Sequence, residues 1–543
     1  MKIPHSISFA FSLSLVLLVT ACGGADEKKA NKQPNIVFIM SDDHAYQAIS
    51  AYSDKLIETP NIDRIAEGGM KFTNASVTNS ICAPSRAVIL TGKHSHLNGK
   101  IDNNFPFDTT QMTFPQLLQQ AGYQTAMFGK LHFGNNPKGF DEFKILPGQG
   151  SYYNPDFITK KEGKITLTGY VTDLITDMTL NWLKTEREPE KPFFLMYLHK
   201  APHREWLPAL RHLPEYTKRT FPEPETLYDD YEGRGTAAKT AEMNILKHMF
   251  WAGDSKLYPA LVEKLNLEKG RNTIKGFERE VGRLNPEQRA EWDKYYQPIS
   301  DDFEEKYKKG MDDRALMAWR YQRYMQDYLG CIAAVDEGVG EVLDYLKENG
   351  LDENTIVMYT SDQGFYLGEH GWFDKRFVYE ESFRTPLLVR WPGVIKPGAV
   401  NTQMVQNLDF APTLLTAAGV KVPDDMQGES LVPLFEGKTE NFRKAAYYHY
   451  YEYPGVHMAK RHYAIVTEDY KLIHFYYDVD EWELYDRKKD PNEMKNVYDD
   501  PAYADIRAKL HKDLDALRVK YKDSKELDQT YIEKSGKPED RKQ

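Results

Sequence analysis

The stretch Asn35-Ile36-Val37-Phe38-Ile39-Met40-Ser41-Asp42-Asp43 is a short apolar, β-branched run, entered from Pro34 and ending directly in two carboxylates. Side chains in a strand alternate between faces, so a run that is apolar on both predicts a strand buried on both. Two similar runs lie far along the chain. Pro192 to Leu198 reads PFFLMYL, and Thr355 to Thr360 reads TIVMYT before running into Ser361-Asp362-Gln363-Gly364. Between them come helical patterns such as Phe114 to Ala121 and Ala315 to Asn349. Strands alternating with helices predict an α/β fold with a mostly parallel sheet covered by helices on both faces. Such sheets gather ligands outside the carboxyl ends of their strands, where two of these runs place acids.

The span Arg204 to Asp312 breaks the alternation and is expected to be an insertion, either a pocket rim or a surface elaboration. From about residue 441 the runs AAYYHYYEY and HYAIVTEDYKLIHFYY, followed by a helical stretch Pro501 to Tyr521, predict a smaller α+β domain with an antiparallel sheet over 441–525. The main domain would then occupy 34–440. Residues 526–543 read as a polar tail, disordered from Glu533 to Gln543.

Residues 1–22 open with Met1 and Lys2, continue through the apolar run Phe9 to Val19, and close on Val19-Thr20-Ala21-Cys22. The run is shorter than the roughly 18 to 20 residues of a membrane-spanning helix, and reads as an export signal. Its ending resembles the lipobox of bacterial lipoproteins. That resemblance implies a lipidated Cys22, a polar tether over 23–33, and an exported protein held to a membrane by its N-terminal lipid, in the periplasm or at the cell surface.

The 543 residues carry a formal net charge of −11, with a sequence pI near 5.8. This balance speaks against nucleic acid as a partner, and any anionic substrate must be met by a local cluster of cations. The chain has only three cysteines. Cys331 recurs with Ile332, Val335, Val339, Val342 and Leu346 at helical spacing and reads as a small core residue. With Cys22 lipidated, Cys82 is left without a disulfide partner.

Asp42, Asp43, Asp362 and Gln363 offer only oxygen donors, which suit Ca²⁺ or Mg²⁺; strand-end acids that cap the next helix are the alternative. Cations follow other strand-like runs: Lys130 and His132 after TAMF, His199 and His203 around Lys200-Ala201-Pro202, and Lys375 with Arg376 soon after Asp362. Taken singly, each fits a solvated face or a satisfied core side chain equally well. The cysteine is different, because Cys82-Ala83-Pro84-Ser85-Arg86 would arise by chance on the order of once in a few thousand such sequences.

CAPSRAVILTG resembles the signature of the type I sulfatases. NIVFIMSDD, GKLHFG, APH, TSDQG, DKRFVYEESFRTPLLVRWPG and ELYDRKKDPNEMKNV follow in that family's order over nearly all of the mature chain. The resemblance implies an alkaline-phosphatase-like α/β sandwich and a sulfuric ester hydrolase. It further implies that a formylglycine-generating maturase converts Cys82 to Cα-formylglycine, whose hydrate is the nucleophile. Asp42, Asp43, Asp362 and Gln363, with the modified Cys82, would hold Ca²⁺. Arg86 would fix the hydrate, Lys130 and Lys375 would grip the sulfate, and His132 would act as the base. His203 would protonate the leaving alcohol, with Lys375 as competitor, and His199 would be structural. Many relatives carry Asn where this chain has Gln363, and Arg where it has Lys93.

The pattern HKAPHREWLPA, DDYEGR and SDQGFYLGEHGWFDKR resembles bacterial sulfatases of glycosaminoglycan sugars, most of all N-acetylglucosamine-6-O-sulfatases. A sulfated saccharide is therefore the implied partner, with Arg204, His370, His457 and Arg461 as possible sugar contacts. A uronic acid 2-O-sulfatase, a phosphate or phosphonate ester hydrolase on the same scaffold, and a lipoprotein that binds sulfated glycan without cutting it are the alternatives.

Overall fold

The run Asn35–Ser41 is a strand with all seven residues buried, set inside a ten-stranded sheet. The structure is a computed structural model and describes residue 1 and residues 33–268, 271–438 and 442–535. The expected signal peptide, Cys22 and all but the last residue of the tether lie outside the described residues. Among those described, no helix is long and apolar enough to cross a membrane.

In spatial order the sheet runs Ala399–Asn401, Met70–Phe72, Leu387–Arg390, Thr355–Ser361, Asn35–Ser41, Phe193–Leu198, Gln124–Lys130, Glu142–Leu146, Asp156–Thr159 and Gly163–Thr166. Asn35–Ser41 pairs in parallel with Phe193–Leu198 on one side and with Thr355–Ser361 on the other, in a register that sets Ser41 opposite Ser361 and Met40 opposite Leu198. Gln124–Lys130 extends the parallel set, and antiparallel strands close both flanks. Gly129 marks the tightest approach. Its φ is 108°, and a Cβ there would lie 1.7 Å from the Leu198 carbonyl oxygen, so only glycine lets this strand deliver Lys130 at its end.

Alternation divides the central strands between two cores. Val37, Ile39, Leu195, Tyr197, Val357 and Tyr359 pack against one layer, which includes the helices Val171–Asn181 and Asp313–Glu348. Ile36, Phe38, Phe194, Met196, Ile356 and Met358 pack with residues of the helices Cys82–Thr91, Phe114–Gln120 and Phe410–Ala417 on the other. Cys331 lies fully buried in the first core, where burial pushes its thiol up to about 12. The insertion is mainly helical, with Arg271–Val281 and Pro286–Lys308 its longest elements, and it sends Trp206, Trp292, Tyr296 and Phe303 into the same core.

The C-terminal part forms a four-stranded antiparallel sheet of Ala445–Tyr450, His462–Thr467, Tyr470–Phe475 and Glu481–Asp486, covered by the helix Ala504–Lys520. The tail expectation is corrected for its first part. Lys525–Ser535 is a helix, held by an Arg518–Asp528 ion pair at 2.7 Å and by the Tyr531 hydroxyl donating to the His96 carbonyl at 2.9 Å. Polar composition hid it because few apolar side chains anchor it. Residues 536–543 lie outside the described residues.

The small sheet is pinned to the main domain by charge. Glu380 accepts from Arg487 Nη2 at 2.8 Å, and Lys471 Nζ lies 3.9 Å away. Burial tends to raise the Glu380 carboxyl, but Arg487, Lys471 and Arg384 outweigh it and hold it at about 2, below its ordinary 4.5. A depressed carboxyl stabilises the fold above its unfolded value and loses that contribution as pH falls through the folded one. Wild type should therefore exceed Glu380→Gln in unfolding free energy by about 1–3 kcal/mol at pH 7. The gap should close as pH falls from 4.5 towards 2 in urea titrations. A gap that does not change with pH would contradict this account.

Candidate active site

Four neighbouring parallel strands end on the same edge of the sheet, and each delivers polar side chains there. Thr355–Ser361 leads into Asp362 and Gln363, Asn35–Ser41 into Asp42 and Asp43, Phe193–Leu198 into His199 and His203, and Gln124–Lys130 ends in Lys130 with His132 beyond. The turn after Ser41 sets Asp43 at φ 66°, a left-handed conformation that costs most residues about 1–3 kcal/mol and is better tolerated by Asp. Fixed partners hold it. The Tyr328 hydroxyl donates to the Asp43 carbonyl at 2.7 Å, and the Asp43 N–H donates to Asp362 Oδ1 at 3.1 Å.

Carboxylate oxygens of Asp42, Asp43 and Asp362 lie within 4.8 Å of one another, all buried. Cys82, 1% exposed, begins the helix Cys82–Thr91, and its Sγ comes within 4.8 Å of Asp42 and His203 donor atoms. One turn on, Arg86 donates from Nε to Asp362 Oδ2 at 2.9 Å, from Nη1 to the Lys130 carbonyl, and sets Nη2 3.7 Å from Asp42 Oδ1. Lys130 Nζ donates to Asp42, and Lys375 Nζ donates to both Asp43 oxygens at 2.7 Å. His203 Nδ1 donates to the Arg204 carbonyl, which turns Nε2 towards Asp43 Oδ2 at 3.8 Å.

The charges decide each protonation state. Burial alone would raise the Asp42 carboxyl, but the cations around it, Lys130 first and then Arg86 and Lys375, outweigh it and hold it well below the usual range. Asp43 is pushed up to about 7 by burial and by the facing carboxylates, against the pull of Lys375. Asp362 is likewise raised, to about 6, by burial and Asp42. Burial would lower Lys375, yet Asp43 and its neighbours keep the ammonium well above its ordinary value. His203 and His132 are both driven well down by burial and by Lys130, so both are neutral imidazoles. Burial and Asp42 push the Cys82 thiol well up, against Lys375 and Lys130, so as a plain thiol it stays protonated and unreactive at neutral pH.

The donor set fits a hard divalent cation. The three carboxylates cluster with the Gln363 amide, and two buried oxygens of this set, Asp42 Oδ1 and Gln363 Oε1, have no hydrogen-bond partner among the described residues. Gln363 donates from Nε2 to Asp43 Oδ1, so its longer side chain keeps its amide at the cluster.

The remaining expected residues fall elsewhere. His199 is fully buried beside Tyr197, with neither ring nitrogen bonded, and burial holds it down at about 3. The expectation that His370 touches the sugar is corrected: it is fully buried, with Asp229 and Glu381 each 3.5 Å away and Trp372 and Tyr379 packed on its ring. Arg461 is fully buried, with Nε donating to the Tyr453 carbonyl at 3.0 Å and with Nη1 and Nη2 left without hydrogen-bond partners among the described residues. Arg204 borders the site but is committed to Asp254 through two bonds of 2.7 and 2.5 Å. His457 sits 3.3 Å from Asp374, the neighbour of Lys375, and so braces the site from the C-terminal region.

Sequence reading missed several positioning residues. Lys375 lies between Asp374 at φ 77° and Arg376 at φ 102°. Arg376 bonds Asp374 at 3.0 Å and Glu452 at 2.8 Å, and Glu452 in turn accepts from the Asn103 N–H at 3.2 Å. Asn103 Oδ1 then accepts from the Ala83 N–H beside Cys82 at 3.2 Å. Ser85 donates to the Asp362 carbonyl and accepts from Asn407 at 2.8 Å. Ser85 had a signal in the sequence, its place inside the CAPSR run, as did Asp374 and Arg376, which open the DKRF motif; Asn103, Asn407 and Glu452 had none.

Residues 34–420 match the family described as Sulfatase, and residues 368–520 match N-sulphoglucosamine sulphohydrolase, C-terminal. The chain belongs to the sulfatase family and is a sulfuric ester hydrolase, with the sandwich and small antiparallel sheet that the motifs implied. It is 50% identical over 521 residues to the N-acetylglucosamine-6-O-sulfatase of Bacteroides thetaiotaomicron, covering 94% of this chain and 91% of that one. A solved structure described as a complex with its substrate D-glucosamine-2-N,6-O-disulfate matches with a TM-score of 0.86 at 48% identity, over 91% of this chain and 99% of the other. A phosphonate monoester hydrolase from Silicibacter pomeroyi matches at 0.64 and 21% identity, over 90% of this chain and 96% of the other, and shares the fold alone.

Proposed function

We propose that this sulfatase hydrolyses the 6-O-sulfate of glucosamine-type sugars, N-acetylated or N-sulfated, from glycosaminoglycan. The observation that carries this is the near full-length likeness, at 48% identity, to the structure holding a 6-O-sulfated glucosamine. Half-identity over 94% of the chain to a named 6-O-sulfatase points the same way.

Asp42, Asp43, Asp362 and Gln363 would hold Ca²⁺, with residue 82 beside them. The ion supplies Lewis acidity to the sulfate, and formylglycine at position 82 supplies, as its hydrate, a hydroxyl nucleophile that a thiol held protonated by burial cannot replace. Arg86 positions residue 82 through its bonds to Asp362 and the Lys130 carbonyl. Lys130 and Lys375 present fixed positive charge to the sulfate oxygens as negative charge builds on them. His132, held neutral, is able to accept a proton at residue 82. Lys375, donating to both Asp43 oxygens, competes with His203 as the acid. His203 gains a proton when the arriving anion offsets the surrounding cations, and passes it from Nε2 to the departing alcohol oxygen.

The N-terminal reading belongs to the same proposal: an exported lipoprotein anchored through Cys22, supported by the apolar run and the Val19-Thr20-Ala21-Cys22 ending. A panel of 6-O-, 2-O-, 3-O- and N-sulfated mono- and disaccharides, scored for released sulfate, tests the substrate. Release should be confined to the 6-O-sulfated members. Faster release from a 2-O-sulfated uronic acid would overturn the reading.

A further inference from the structure

A pocket of about 480 Å³ opens beside His203, within the size range of about 300–1,000 Å³ that ligand sites occupy. One wall comes from the loop carrying Gln149 and the strand end carrying Lys200, and the other from the insertion. The arginines on its walls are already matched: Arg204 with Asp254 at 2.5 Å, Arg279 with Glu205 at 3.1 Å, and Arg283 with Asp156 at 3.4 Å. Lys200 is the exception. It is 1% exposed, and among the described residues its Nζ makes no hydrogen bond and has no carboxylate oxygen within 4.0 Å. Its ammonium rests on the face of Tyr152, 4.6 Å from the ring centroid. Burial pulls its pKa down, since Glu280 and Asp42 act on it only from a distance. A buried charge without a partner is costly to keep, so a site that retains one gains when an anion arrives. Two oxygens in the same pocket, Gln149 Oε1 and Glu205 Oε2, are also buried and without hydrogen-bond partners.

We propose that this pocket takes a second anionic group of the sulfated sugar, an N-sulfate or the carboxylate of an adjoining uronic acid, with Lys200 as its ionic anchor. Gln149 and Glu205 accept hydroxyl or amine protons of the same sugar beside it. The reacting sulfate cannot be the group concerned, because Lys130 and Lys375 already face the carboxylate cluster where it reacts. This assignment rests on the 6-O-sulfatase reading.

The test compares wild type with Lys200→Met, which conserves bulk, and Lys200→Gln. Three substrates are used: N-acetylglucosamine 6-sulfate, glucosamine 2-N,6-O-disulfate, and a disaccharide joining a uronic acid to N-acetylglucosamine 6-sulfate. Both variants should lose about tenfold or more in kcat/KM, through KM, on a substrate with a second anion. On the monosulfate they should stay within about twofold. Loss confined to the disulfate identifies the N-sulfate, and loss confined to the disaccharide identifies the carboxylate. Equal loss on all three, or none on any, overturns the proposal. Should wild type release sulfate from none of them, the 6-O reading fails. Calorimetric binding of glucosamine 2-N-sulfate and the unsulfated disaccharide then decides on Lys200, because binding unchanged in both variants refutes the anchor.

Discussion

Cys82→Ala should lower sulfate release by at least about 10⁴-fold, because it removes the atom from which the nucleophile is made. Cys82→Ser should fail as badly, since a serine hydroxyl can take up sulfate but has no second hydroxyl on the same carbon to expel it. Both variants should keep the wild-type fold, as the side chain is small and makes no hydrogen bond that organises the helix. Binding of desulfated product should survive, which separates lost chemistry from a lost site. Peptide mass spectrometry supplies the complementary reading: active protein should carry residue 82 about 18 Da lighter than cysteine. Fully active enzyme with an unmodified thiol, or a variant with normal turnover, would sink the scheme.

The second large effect concerns the carboxylates. Asp43→Ala should reduce turnover by about 10³-fold or more, the loss expected when a cation contributing several kcal/mol to the transition state is no longer held. Wild type should also be stabilised thermally by added Ca²⁺, and the variant should not, since a ligand that binds only the folded state raises its melting temperature. The pH dependence follows from the raised acids. Asp43 near 7 and Asp362 near 6 take up protons as pH falls through neutrality, so protons compete with the cation and apparent Ca²⁺ affinity should weaken from pH 8 to pH 6. Thermal stability indifferent to Ca²⁺ at every pH would contradict the oxygen cradle.

Much of this site was legible because it is built on strand ends. Asn35–Ser41 and Thr355–Ser361 announce themselves by apolar runs, and a parallel register then leaves their following acids no choice but to meet. The histidines and lysines after the other two strands are placed by the same logic. What stayed hidden depends on contacts between residues hundreds of positions apart. Nothing in the sequence near Glu452 says that it grips Arg376 and Asn103, since that pairing exists only once the small sheet has docked. His370 misled for a related reason: its place in the SDQGFYLGEHGWFDKR pattern made it a candidate sugar contact, whereas Asp229 from the insertion and Glu381 pair with it inside the protein. Lys200 passed as an ordinary cation because the absence of a partner cannot be seen until every neighbour is in place.

The burial of Cys82 sets a timetable. At 1% exposure, behind Arg86 and the carboxylates, the thiol is out of reach of any enzyme large enough to oxidise it once the sheet has closed. Under the formylglycine reading, each molecule is therefore committed for life while still an unfolded polypeptide. A chain that folds first becomes a stable, well-formed and permanently silent copy, so the working fraction of any preparation records a race between maturation and folding.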